Sequence, residues 1–181
     1  MLSRNLIIAW DRAASSHCNR INHHRTGELF ARISRLGDGW VWFALMALLP
    51  LVHGTIALEV SLVMLATGTV ATGVYKLIKH ATHRPRPCEA TPGLLLTVLP
   101  LDRFSFPSGH TLHAVCFSII AVSAFPWWGW VLVPFTVLVA LSRLVLGLHY
   151  LSDVIMGAVI GGSLASGAVL LASVLGYRAW T

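Results

Sequence analysis

Residues 154–175 read VIMGAVIGGSLASGAVLLASVL, 22 positions without a charged side chain. A helix of that length rises about 33 Å, enough to cross the roughly 30 Å hydrocarbon layer of a bilayer. A surface helix of a soluble domain would be apolar along one stripe only, so the stretch predicts a membrane span. Its small residues, Gly157, Gly161, Gly162, Ser163, Ala165, Ser166 and Gly167, predict a face on which another helix packs closely.

Four more uncharged or nearly uncharged runs precede it: Trp40 to Ile56, Val60 to Ile78, Thr111 to Phe125, and Trp127 to about Leu146. The whole chain has the same character. It is 56% hydrophobic and 11% charged with a mean hydropathy of +0.73, against roughly 25% charged residues in soluble domains. The expected fold is all-α: one integral-membrane helical bundle of about five transmembrane helices over residues 40–175. Residues 1–38 alternate an apolar stripe (Leu6, Ile7, Ala9, Trp10, then Leu29, Phe30, Ile33, Leu36) with Arg4, Arg12, Arg20, Arg25, Arg32 and Arg35. That pattern predicts amphipathic helices lying in the membrane interface, with a soluble segment packed on the bundle as the alternative. Asp11 and Arg12 cut the first apolar patch too short for a secretory signal, so none is predicted. The formal charge of +6 suits nucleic acid, anionic lipid or a phosphate-bearing substrate, and apolar spans between the basic clusters disfavour nucleic acid. Cys18, Cys88 and Cys116 have neither disulfide-framework nor metal-ligand spacing.

Five spans put the ends of the second and fourth and the starts of the third and fifth at one membrane face. The unusual polar residues fall there. Lys79 is followed by six residues and Arg86-Pro87; then come Pro107-Ser108-Gly109-His110; then Ser142-Arg143, five residues, His149, three residues and Asp153. The loop from 80 to 107 is too long for a plain connection and is expected to be functional. It holds two Arg-Pro pairs, but only Arg86 has a lysine seven positions earlier. Arg84 is left as a headgroup or loop contact or a solvated charge.

These residue types suit phosphoryl chemistry without a metal or other cofactor. Charge spread over the equatorial oxygens in displacement at phosphorus needs fixed cations. Lys79, Arg86 and Arg143 supply them, the arginines with a bidentate fork and the lysine as a point charge. Pro107 breaks the chain and Ser108, Gly109 and His110 open a helix, so free N–H groups there favour an anion. His149 and Asp153, four apart, share a helical face. Asp153 can accept from one ring nitrogen while the other attacks phosphorus, which makes His149 the nucleophile. The plain alternatives are topology-setting charges at span ends, histidines bonding between helices, and Asp153 as a helix cap. His113 reads as a packed or pocket-lining side chain, His17, His23, His24, His80 and His83 as exposed, and Trp127, Trp128 and Trp130 as an interfacial belt.

The three groups, in order and spacing, resemble the signature of the type-2 phosphatidic acid phosphatase family, whose site is shared with vanadium haloperoxidases. The resemblance runs from about Lys79 to Asp153. It implies a phosphohistidine on His149, oriented by Asp153, with His110 protonating the leaving oxygen and then activating water; exchanged roles for the two histidines are the alternative. The implied substrate is a lipid phosphate or diphosphate: phosphatidate, phosphatidylglycerol phosphate, a polyprenyl (di)phosphate or a lipid A phosphate. A phosphotransferase using the same intermediate and a lipid-phosphate binding or transport protein without turnover are the competing readings. The expected location is the cytoplasmic membrane of a bacterium. Positive charge on the site's face predicts a cytoplasmic site, whereas the resemblance implies a periplasmic or exterior one.

Overall fold

The computed structural model describes residues 2–100 and 102–180; Leu101 of the loop and the side chains of Arg4 and Ile7 lie outside the described residues. Among the described residues, eight α-helices form: α1 (Leu2–Asn19), α2 (His24–Leu36), α3 (Gly39–His53), α4 (Ile56–Thr82), α5 (Pro87–Ala90), α6 (Gly109–Ala124), α7 (Gly129–Val145) and α8 (Leu151–Val174), with a 3-10 turn at Pro126–Trp128. Helices α3, α4, α6, α7 and α8 occupy the five apolar runs. Among the described residues, three stretches suffice by length and composition to cross a bilayer, within Ile56–Ala90, Pro126–Val145 and Leu151–Val174. Helices α2 and α3, bent by 51° at their junction, qualify together as a fourth. The 16-residue α6 is about 24 Å long and lies enclosed, with Leu112, Cys116, Phe117 and Ile120 buried.

Small residues set the central packing. A Cβ on Gly157 would lie 2.6 Å from the Ser108 carbonyl oxygen, and one on Gly161 would collide with the Leu112 carbonyl. Helix α8 therefore meets α6 backbone to backbone. Gly68 of α4 leaves room for the Phe117 ring, which packs on Trp42 of α3 at 5.4 Å between centroids. The outer faces carry Leu51, Leu62, Leu77, Ile155, Leu170 and Val174 exposed, an apolar coat that water does not favour and lipid does. The chain is an integral membrane protein.

Helix α1 turns a short polar stripe inward, whereas α2 keeps its charged residues exposed and packs Phe30 and Ile33 against the core. Helix α1 buries Asp11, Ser15 and Asn19, spaced four apart, while Leu6 and Trp10 face out. Asn19 accepts from the Leu95 N–H and donates to the Leu95 and Val145 carbonyls, tying α1 to the loop and to the end of α7. Helix α2 packs along α7 with Gly27, Ala31 and Ser34 buried, Gly27 lying against Asn22 and Thr97.

Candidate active site

Helix ends deliver the polar groups. Helix α4 stops at His83 in the left-handed region (φ 49°), whose N–H caps the Lys79 carbonyl, and Pro85 and Pro87 prevent continuation. Lys79 thus sits in the last turn and Arg86 on the extended segment beyond. Helix α7 ends just past Arg143, and Gly147 turns the chain at φ +67°, where a Cβ would press on the Asn19 amide at 3.3 Å. The turn is closed by the Leu148 and His149 N–H groups, both donating to the Arg143 carbonyl. Asp153 lies in the first turn of α8, accepting the Tyr150 N–H at 2.8 Å.

One cavity of about 780 Å³ gathers Lys79, Arg86, His110, Arg143 and His149 with Asp38 and Asp102, then continues along Trp42, Phe43, Met46, Leu65 and Phe117. All five expected cavity side chains meet although up to 70 positions separate them along the chain (Lys79 to His149). Gly109 lines the cavity as well. Ser108 departs from expectation: it is fully buried, and its N–H is not free for an anion but donates to the Asp153 carbonyl at 3.0 Å. The close α6–α8 approach brings that carbonyl within reach, so Ser108 ties the two helices together at the site.

Arg86 donates from Nη1 to the Leu148 carbonyl at 2.6 Å and approaches His149 Nε2 at 3.3 Å. A guanidinium only donates, which leaves Nε2 with its lone pair and places the ring proton on Nδ1. That atom faces Asp153 Oδ2 at 3.6 Å, a separation longer than the hydrogen bond expected from the sequence. His149 Nδ1 and Arg143 Nε are buried and without hydrogen-bond partners among the described residues. Burial drives the His149 pKa well below the ordinary histidine value, and the positive charges of Arg143, Arg86 and Lys79 push the same way. The ring is therefore neutral and able to attack at neutral pH. Arg143 is buried and donates to Ser34 Oγ.

Three carboxylates complete the arrangement, none assigned a site role by sequence reasoning. Asp102 bridges Lys79 Nζ at 2.8 and 2.7 Å and Arg86 Nη2 at 2.5 Å, putting carboxylate oxygens where phosphate oxygens would bind the same two cations. Burial alone would raise the Asp102 pKa, but the bonds and charges of Lys79 and Arg86 hold it below the usual carboxylate value. Asp38, between α2 and α3, accepts from His110 Nε2 at 2.7 Å. Asp11 pairs with Arg84 at 2.6 Å. In sequence these read as loop acids or helix-break residues, and only tertiary proximity reveals them. His113 lines the cavity with Nδ1 donating to the Gly109 carbonyl, while His17, His23, His24, His80 and His83 are exposed, both as expected.

The profile of the PAP2 superfamily matches residues 57–176. The chain is 31% identical over 135 residues to an undecaprenyl-diphosphatase of Sulfolobus acidocaldarius, covering 74% of this chain and 64% of that protein. It is 32% identical over 142 residues to a decaprenylphosphoryl-5-phosphoribose phosphatase of Mycobacterium tuberculosis, covering 74% and 73%. In fold it is similar to the PAP2-type phosphatidylglycerolphosphate phosphatase of Bacillus subtilis (TM-score 0.78, 23% identity, 96% of this chain and 90% of that one). It also resembles Aquifex aeolicus LpxE (TM-score 0.71, 22% identity, 86% and 92%).

Proposed function

The chain belongs to the PAP2 superfamily, and we propose that it hydrolyses the phosphate of a polyprenyl (di)phosphate in the membrane. The observation that carries this reading is the single cavity with cations and two histidines at one end and Trp42, Phe43, Met46, Leu65 and Phe117 along the rest. An amphiphile fits such a space with its phosphate among Lys79, Arg86 and Arg143 and its chain against the apolar wall. Two relatives act by name on polyprenyl compounds, which favours an isoprenoid chain over a diacylglycerol.

In the proposed sequence His149 Nε2 attacks phosphorus, forming an N–P bond while the P–O bond to the lipid breaks. His110, entering the step as an imidazolium paired with Asp38, gives a proton to the leaving oxygen and becomes neutral. From a diphosphate the leaving group is the lipid monophosphate. The imidazolium formed on His149 keeps its Nδ1 proton toward Asp153. Water then attacks the phosphohistidine, His110 takes a proton back, the N–P bond breaks, and orthophosphate leaves with His149 neutral again. Lys79, Arg86 and Arg143 hold the equatorial oxygens throughout. Asp102 must release Lys79 and Arg86 for the phosphate to bind.

The test is orthophosphate release by purified protein from undecaprenyl diphosphate, phosphatidate and phosphatidylglycerol phosphate, with His149→Ala as control. The expected result is release from the polyprenyl substrate, reduced more than about a thousandfold in the variant. Equal release by His149→Ala, or none from any lipid, overturns the reading. Phosphate passed to an acceptor lipid instead of water would make the chain a phosphotransferase.

A further inference from the structure

Arg84 belongs to the first of the two Arg-Pro pairs, and it does not line the cavity. It lies behind the catalytic pair. Its Nη1 donates to Asp153 Oδ1 at 2.6 Å and to Ser152 Oγ at 2.7 Å, and its Nη2 donates to Asp11 Oδ2 at 2.6 Å. The guanidinium lies over the Tyr150 ring at 4.2 Å, which fixes its plane. Asp11 is bound in turn, accepting the Ser152 N–H at 2.9 Å and the Ser152 hydroxyl at 2.6 Å. Both carboxylates are buried, Asp153 completely.

These contacts leave Asp153 little freedom. Oδ1 is held by Arg84 and Oδ2 by the Tyr150 N–H, and Oδ2 is the oxygen facing His149 Nδ1. Charge is arranged as carefully as geometry. Asp153 must stay anionic to favour the imidazolium that forms when Nε2 takes up phosphorus. A lone arginine beside it would draw that charge away from the histidine. Asp11 faces Arg84 from the other side, so the chain Asp11–Arg84–Asp153 keeps one net negative charge, as Asp153 would have alone. Asp11 stands on α1, outside the residues matched to the family profile.

We propose that Arg84, clamped by Asp11 of the N-terminal helix, is a positioning residue for the Asp153–His149 pair. This inference rests on the phosphatase reading above for its chemistry. Asp11 acts through Arg84, so the two form one device. Loss of an orienting outer group of this kind lowers activity by about tenfold to a hundredfold.

The test compares wild type with Arg84→Ala, Arg84→Lys, Asp11→Asn and the Arg84→Ala/Asp11→Asn double variant, all as full chains. The first readout is kcat and KM for orthophosphate release from undecaprenyl diphosphate. Arg84→Ala is expected to lose about tenfold to a hundredfold in kcat with KM nearly unchanged. Arg84→Lys should recover part of the loss, Asp11→Asn should lose less, and the double variant should be no worse than Arg84→Ala. Wild-type kcat in Arg84→Ala overturns the inference, as does a raised KM alone, which would make Arg84 a substrate ligand. Additive losses in the double variant separate Asp11 from Arg84 and overturn the clamp.

A second readout does not need turnover, so failure of the phosphatase reading, seen as an inactive wild type, stays distinguishable. Orthovanadate bonds to a nucleophile as a five-coordinate oxyanion, whereas inorganic phosphate is held by the cations alone. Binding of orthovanadate should weaken about tenfold or more in Arg84→Ala while phosphate binding stays unchanged. Equal orthovanadate affinities overturn the inference. If Arg84→Ala does not fold, Asp11→Asn decides by the same pair of ligands: a selective loss of orthovanadate supports the clamp, and wild-type affinity for both overturns it.

Discussion

The two halves of the site are built differently. Around His149 everything is fixed: Arg86, Arg143, His149 and Asp153 are each at most 3% exposed and bonded to backbone or to neighbouring helices. At the open side the carboxylates are looser, the Asp38 and Asp102 side chains being 37% and 43% exposed, with Asp38 bonded to His110 and Asp102 to Lys79 and Arg86. In the proposed mechanism, the half that would form and break the bond at phosphorus is the preorganised one. The half that passes protons and admits substrate is free to rearrange. Electrostatic catalysis gains most where dipoles need no reorganisation, and an internal carboxylate on the phosphate cations is tolerable only if it can leave.

The largest expected effect falls on the fixed half, where His149→Ala removes the proposed nucleophile, as above. His110→Ala should cost about a hundredfold to ten-thousandfold in kcat while still allowing a trapped phosphoenzyme from a substrate with a good leaving group. Failure to trap it in His110→Ala, with trapping in His149→Ala, would exchange the roles of the two histidines. Asp38→Asn keeps a hydrogen-bond acceptor for His110 but removes the charge, and kcat should fall by about tenfold at constant KM. An unchanged kcat would reduce Asp38 to a contact of the empty site.

Acid stability sharpens the same contrast. His149 has a folded pKa well below its ordinary value, with burial the main cause and the neighbouring cations adding to it. The unfolded chain takes up a proton there below about pH 6.5 that the folded chain refuses. Stability is therefore undiminished above that pH and declines as pH falls below it, by up to about 1.4 kcal/mol per pH unit until the folded pKa is reached. Melting curves of wild type and His149→Gln between pH 7.5 and 5.5 should show the steeper acid loss in wild type; parallel slopes would mean that the folded imidazole titrates normally. The smallest effect is expected on the looser half: Asp102→Asn should lower KM a few-fold, about 1 kcal/mol, because phosphate no longer competes with a carboxylate for Lys79 and Arg86. A raised KM would show Asp102 arranging those cations instead.

Much of this was legible before the fold. Lys79, Arg86, Arg143, His149 and Asp153 stand out because charge at the end of an apolar run is expensive and rarely idle, and span counting alone brings them to one face. Asp11, Asp38 and Asp102 carry no such signal. Asp11 interrupts an amphipathic stretch and Asp38 and Asp102 lie in breaks between apolar runs, and each acquires a role only through a partner distant in sequence, Asp11 through Arg84 and Ser152, Asp38 through His110, Asp102 through Lys79 and Arg86. Ser108 shows the converse. Its place before a helix suggests free N–H groups, but a glycine on another helix lets a carbonyl approach and take the bond. Helix α1 likewise has an apolar stripe that fits a membrane surface, while its short polar stripe is what reaches the catalytic pair.

Gly157 and Gly161 have a consequence for how this protein can vary. His110 stands in the first turn of α6, Asp153 in the first turn of α8 and His149 just before it, and at Gly157 and Gly161 the nearest atoms across the two helices are main-chain carbonyl oxygens. Most active-site spacings are adjustable, since a core substitution of one methyl group can widen or narrow them. Here the separation is pinned at a hard stop of main-chain atoms. Sequence drift in the surrounding lipid-facing faces can proceed while the distance between His110 and His149 stays the same. The glycines act as a gauge block against which every variant of the enzyme is assembled.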